Sequence, residues 1–245
     1  MLDGKSKTGS ELTNEQVDQV LEVQSKGKGK KAGKTVEERV TIPSLKIGQA
    51  TLTIVGETEL CTNRFPEKSI QQILDTHMKK PKQGREAKVP ENDFLGSLYV
   101  IDGKEPKLQK KGERTYAVGA TFGIPGNALK LASVAACRQD LGIPMTKARG
   151  TFHVVGYYLP ILDAKTGKPA VPYMRQDVVR LPNGAPDIRF RGSFENWKIE
   201  VPVEFNTRVI TLEEIANLLN TAGFSVGLSE WRPEKGGSFG RFRVA

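Results

Sequence analysis

Apolar and polar residues alternate through KIGQATLTIVGETELCTN (Lys46–Asn63), which is rich in Thr, Ile and Val. That period of two predicts a β-strand with Leu52, Ile54 and Leu60 turned to the core. In EKSIQQILDTHMKK the period lengthens, and Ile70, Ile73, Leu74 and His77 fall on one side of a predicted helix. Lys79–Arg114 is charged and reads as a long insertion carrying one short strand, FLGSLYVI (Phe94–Ile101). Gly123–Gly126 reads as a tight turn, with Asn127 as N-cap of a helix through Leu129, Leu131, Val134, Ala135 and Arg138 that ends near Gly142. Thr151–Leu162 predicts one strand, and Asp163–Asp187 a turn-rich loop or second insertion. Ile188–Asn206 predicts a long bent strand or a hairpin. The clearest helix is ITLEEIANLLNTAG: Thr211 and Glu214 form a capping box, Leu212, Ile215, Leu218 and Leu219 make the apolar face, and Gly223 is the stop. A glycine-rich stretch and a closing strand, Gly240–Val244, follow.

This order of elements predicts an α+β fold. It fits a modified ferredoxin-like or RRM-like antiparallel sheet with helices on one face and long loop insertions. The domain would run over 41–245, with insertions near 79–114 and 163–187. Strand–helix–strand occurs twice, around Gly123–Gly142 and around Ile188–Val244, which suggests weak internal symmetry. Residues 1–40 read as a flexible basic arm: SKGKGKKAGK (Ser25–Lys34) has almost nothing to bury, and Glu11–Gln24 has the pattern of a short helix capped at Thr13.

Composition turns this outline toward a class of partner. The 245 residues carry 37 Lys and Arg against 28 Asp and Glu, a net charge of +9 and a sequence pI of about 9.5. Such a balance favours polyanions, nucleic acid first and an anionic membrane surface second. No apolar run reaches the length of a membrane span, and no signal peptide is legible, so a cytoplasmic, membrane-free location is expected. Cys61 and Cys137 are too far apart for a metal-ligand pattern and are expected as buried free thiols.

Candidate chemistry concentrates in Gly223–Val244, GFSVGLSEWRPEKGGSFGRFRV. Arg232, Lys235, Arg241 and Arg243 are interleaved there with Phe224, Trp231, Phe239 and Phe242. Glycine can let bare backbone approach a phosphate chain, arginine supplies charge, and an aromatic ring supplies a stacking face. A Gly-rich turn that simply caps the last strand fits the same residues. Upstream, Lys130 sits in a first helical turn, where the dipole disfavours a cation unless an anion lies near. His77, His153, Asp93 and Asp102 are the candidates for general acid–base chemistry, but no spacing demands it. No P-loop, HExxH or paired CxxC pattern occurs, and no cofactor or metal is expected.

Two segments together resemble the RAMP superfamily, the proteins that form the backbone of CRISPR effector complexes. FGIPGNALKLASVAACR is similar to that superfamily's "IPGSSLKG…R" segment. ITLEEIANLLNTAGFSVGLSEWRPEKGGSFGRFRV is similar to its C-terminal helix, glycine-rich loop and closing strand. The turn departs from the family in Asn127, Ala128 and Leu131, and the loop is longer and more aromatic. The resemblance implies a modified RRM or ferredoxin-like fold that binds single-stranded nucleic acid, RNA favoured, without catalysis. It also implies self-association into a homo-oligomer or a multi-subunit ribonucleoprotein. By position, Gly126, Asn127, Lys130 and Arg138 would border the groove. Gly227, Trp231, Arg232, Lys235, Gly236, Gly237, Gly240 and Arg241 would form the loop, and Arg64 joins this nucleic-acid-binding set. The charged insertion would act as a thumb-like element. An endoribonuclease of the same superfamily and a phage structural or assembly protein are the alternatives.

Overall fold

Alternation along β1 (Ile47–Gly56) and β11 (Trp197–Asn206) decides the architecture. Their antiparallel register sets Ala50, Leu52 and Ile54 opposite Val203, Val201 and Ile199. These residues make one apolar face. The other face carries Gln49, Thr51 and Thr53 opposite Glu204, Pro202 and Glu200. A sheet with one apolar face must bury that face, and here two helices pack into the same core. They are α3 (Gly126–Ala136) and α5 (Leu212–Ser225). Two short strands complete the sheet, β6 (Phe152–Val154) and β12 (Phe242–Val244), in the order β12-β1-β11-β6. The chain path β1, α3, β6, β11, α5, β12 is the β-α-β-β-α-β plan of a ferredoxin-like fold, and the α+β expectation holds. The structure, a computed structural model, describes residues 43–80, 87–139, 142–181 and 183–245. The expectations for the N-terminal arm lie outside them.

A second antiparallel sheet is built from β2 (Leu60–Thr62) and from the segments between the elements of that plan. β3 (Lys107–Lys111) and β4 (Arg114–Val118) form a hairpin, and β9 (Tyr173–Arg180) and β10 (Pro186–Phe194) pair along most of their length. The order is β2-β10-β9-β4-β3. Short α2 (Pro90–Gly96) seats Phe94 under this sheet, and Leu98 lies close against Gly192 of β10. β5 (Gly123–Pro125) pairs with β7 (Tyr158–Pro160), and β8 (Leu162–Asp163) with the start of β11. Trp197 is fully buried at the junction, and its indole N–H donates to the Thr58 carbonyl at 2.7 Å. Both cysteines are buried free thiols, and burial pushes the Cys61 thiol up to about 12.

Several local expectations change. Phe94–Gly96 is helical, and only Val100 keeps a strand-like bridge, to Phe122. The turn at Gly123 is strand as far as Pro125, so Pro125, not Asn127, occupies the N-cap. Thr151–Leu162 is not one strand: α4 (Met145–Thr151) ends there, and Gly156, at φ +107°, breaks the remainder into β6 and β7. Ile188–Asn206 is neither a bent strand nor a hairpin, because β10 and β11 belong to different sheets. Helix α5 runs past Gly223 to Ser225. A Cβ on Gly223 would overlap the Phe242 carbonyl, so that glycine serves close helix–strand approach and not termination.

Candidate nucleic-acid interface

The glycine-rich stretch folds back on itself. After α5, Gly227 takes φ +71° and the chain turns through a short 3-10 segment, Pro233–Lys235. Backbone bonds run from Leu228 N–H to Gly240 O, from Gly237 N–H to Arg232 O, and from Phe239 N–H to Trp231 O. A Cβ on Gly237 would overlap the Trp231 carbonyl, and one on Gly240 the Leu228 carbonyl. These two glycines therefore admit the loop's own backbone. Gly236 (φ +77°) differs: a Cβ there meets nothing within 4 Å. Trp231 is held at φ +55° with 41% of its surface exposed. A bulky residue in the left-handed region is a strained outlier.

The predicted cations take distinct places. Arg138, in the 3-10 turn Cys137–Gln139 that follows α3, and Arg232 of the loop share Glu234, at 3.3 and 2.9 Å. This clamp joins α3 to the loop across a cleft of about 350 Å³ floored by Ala128, Ala132, Ala135 and Val226. Arg232 also donates to the Ser229 carbonyl. Arg241 pairs with Glu57 at 3.0 Å and lies over the Phe224 ring. Arg64 pairs with Glu67 at 2.6 Å, at the foot of α1 (Glu67–His77). Exposed Lys235 makes no ion pair among the described residues. Lys130 turns inward. Its ammonium donates to the Ala148 and Phe152 carbonyls at 2.7 and 2.5 Å and rests on the Phe152 ring. Burial brings its pKa down to about 8. The negative end of α4, not an external anion, thus explains a lysine in this first turn. Gly126 donates to the Tyr157 carbonyl, and Asn127 is exposed beside it with no side-chain cap.

Two groups of residues escaped the sequence reading. One is a polar face of the second sheet. Register places Lys107, Gln109 and Lys111 of β3, Arg114 and Tyr116 of β4, Tyr173, Arg175 and Asp177 of β9, and Asp187, Arg189, Arg191 and Ser193 of β10 on one side. The glycine-rich loop borders this face: Arg175 lies over the Phe239 ring at 4.5 Å, and Glu230 N–H donates to the Cys61 carbonyl. Arg191 is nearly buried, 3.7 Å from Glu230, with its Nη1 unpartnered. Glu59 gathers the sheet to the loop, accepting from Tyr173, Ser193 and Arg175. Burial alone would raise its carboxyl, but these hydrogen bonds and the arginine charge outweigh that and hold it low. The alternation in RFRGSF carried this signal. Its partner strand lay in a stretch read as loop.

The other group is a tyrosine cluster beside the start of α3. Tyr157 is 82% exposed, its ring 4.6 Å from Tyr158, which in turn lies 5.7 Å from Tyr99. The β5–β7 pairing positions it, and a Cβ on Gly126 would overlap the Gly156 carbonyl.

The acid–base candidates lie on separate elements. His77 ends α1, exposed His153 faces Glu204 across β6 and β11, Asp93 is in α2, and Asp102 accepts from the Thr121 and Lys104 N–H groups. Among the described residues no three His, Cys, Asp or Glu side chains are grouped to hold a metal, and no helix is long and apolar enough to cross a membrane.

No family model matches the sequence, and no curated protein does. Among solved structures the chain is similar to the crystal structure of Cmr6 from Pyrococcus furiosus, at 11% identity and a TM-score of 0.40, over 82% of this chain and 100% of that one. No residue role passes from it to this chain.

Proposed function

We propose that the protein binds single-stranded nucleic acid without cutting it, along the glycine-rich loop and the polar face of the second sheet beside it. The observation that carries this reading is Trp231. A left-handed backbone costs an ordinary residue about 1–2 kcal/mol, and here that cost is spent on an indole left partly in solvent. Base stacking is a use for such a ring. Arg232 follows it directly and Lys235 comes four residues on, and Phe239 joins the loop to Arg175. The resemblance of the two segments to the RAMP superfamily agrees with RNA as the strand. The open face of the first sheet suits this ligand less. It presents Glu200 and Glu204, and among the described residues of its paired strands His153 is the only aromatic ring on that face.

The test uses intrinsic fluorescence, because Trp197 is buried and Trp231 is not. Titrating an RNA homopolymer at low salt quenches Trp231 emission. Trp231→Ala weakens binding by roughly 5- to 150-fold, the equivalent of about 1–3 kcal/mol per stacked base, and leaves the fold intact. Equal affinity of wild type and Trp231→Ala for the homopolymer, or no binding by either, would overturn the reading.

A further inference from the structure

The chain has five tyrosines. Tyr116 and Tyr173 lie on the polar face of the second sheet, and the other three, Tyr99, Tyr157 and Tyr158, form the cluster beside the start of α3. The backbone under that cluster is fixed at two points. The Tyr157 carbonyl accepts from Gly126 N–H at 2.9 Å, and Tyr158 pairs with Pro125 across β5 and β7. The rings are thus set in place before anything binds, which lowers the entropy cost of a contact. Tyr157 nevertheless stands 82% exposed, edge-on to Tyr158. A ring held this way offers flat π surface to solvent, and such a surface stacks a base of any identity.

Hydrogen bonds connect this cluster to the glycine-rich loop. Trp231 follows Glu230, whose carboxylate accepts from the Asn63 amide at 2.8 Å. Arg64, next to Asn63, donates its N–H to the Ser97 carbonyl at 2.9 Å, which brings the segment leading into Tyr99 against Asn63 and Arg64. The half-buried Tyr99 hydroxyl registers the whole connection. Burial raises it above its ordinary value, Tyr158 adds to that, Arg64 lowers it and Glu230 raises it. Tyr99 then lies 5.7 Å from Tyr158, and Tyr158 4.6 Å from Tyr157, ring centre to ring centre. The charges along the way are already answered, Arg64 by Glu67 and Glu230 by Asn63, so what the surface offers is rings. It runs on without a break from the indole that serves base stacking, and the partner it fits is more of the same strand. We infer that the strand stacked on Trp231 continues over Tyr99 and Tyr158 and stacks a further base on Tyr157, which rests on the loop's being the strand-binding site.

The full chain, stripped of nucleic acid, is titrated at low salt into labelled uridine oligomers of about 4 to about 16 nucleotides, the range of site sizes of single-strand binders, and binding is read by fluorescence anisotropy. Wild type is compared with Tyr157→Ala, Tyr157→Phe and Trp231→Ala. Tyr157 is exposed, so its variants keep the wild-type thermal transition. Tyr157→Ala binds the longest oligomer roughly fivefold or more weakly, and its affinity stops rising at a shorter oligomer than that of wild type. Tyr157→Phe, which keeps the ring, recovers the wild-type affinity and length. If Tyr157→Ala matches wild type at every length while Trp231→Ala is weakened, the inference is overturned and the loop reading stands. If Trp231→Ala matches wild type, or nothing binds, the loop reading fails and the inference with it. Loss of self-association in nucleic-acid-free Tyr157→Ala, with unchanged affinity for the oligomers, would assign the cluster to a contact between copies and overturn the inference.

Discussion

Gly236 and Gly237 are neighbours in the sequence and serve different ends. Gly236 needs only its left-handed φ, while Gly237 needs the absence of a Cβ. Gly236→Ala is expected to cost about 1–2 kcal/mol, the penalty of an ordinary residue at positive φ. Gly237→Ala should cost more and disturb the loop, since its methyl group meets backbone that cannot yield locally. Urea denaturation of the two variants gives the order, and equal midpoints would contradict it. Glu59 makes a prediction in pH. Its folded carboxyl lies below the unfolded value of 4.5, so its stabilising contribution is complete above that value and is lost as pH falls through the folded one. Glu59→Gln should therefore be less stable than wild type at neutral pH, and the gap should close in acid below pH 4.5. A gap of constant size across that window would show that its hydrogen bonds do not depend on charge.

At the scale of elements, α5 was the most legible part of the chain. The Thr211 hydroxyl accepts from Glu214 N–H at 3.2 Å, and the Glu214 carboxylate accepts from Thr211 N–H at 2.7 Å, as the capping-box spacing required. Thr211→Ala should cost about 1 kcal/mol and Thr211→Asn much less, read as shifts in a denaturation midpoint. Helix α1 shows the converse. Its apolar spacing was as regular, and the helix exists, yet Ile70, Ile73 and Leu74 on its apolar side are exposed. Periodicity reports that a face is apolar, not what covers it. Helix α3 adds a third lesson. Its start was displaced from Asn127 to Pro125 because β5 pairs with β7 up to that residue, a pairing invisible in local sequence.

Across the whole molecule, the net charge of +9 sets an expectation for binding. Affinity for a single strand should fall linearly with log salt, by about 0.7 per phosphate neutralised. Lys107 and Lys111 lie on the polar face and make no ion pair among the described residues. The double variant Lys107→Gln/Lys111→Gln should therefore lower the slope by about 1.4 if that face takes part. An unchanged slope would confine binding to the loop. Many other cations are already matched: Glu234, Glu57, Glu67 and Glu59 answer Arg138, Arg232, Arg241, Arg64 and Arg175. Formal charge therefore overstates the cations left free for a ligand.

The sequence by itself determined the α+β plan, its two principal helices and the closing strand, because alternation, helical period and capping act over a few residues and survive in any context. It also marked the glycine-rich stretch as special. Only the tertiary structure decided that segments read as insertion or loop, around residues 107–114 and 173–187, pair with the strand that begins near Ile188 into one second sheet. The pairings that join its pieces, β2 with β10 and β4 with β9, link residues far apart along the chain, and no local pattern encodes them. The same holds for the site. Composition pointed at Lys130 and the glycines, but packing turned Lys130 onto the end of α4 and Gly237 and Gly240 onto the loop's own backbone. Left-handed Trp231 was thereby held partly in solvent beside the polar sheet face.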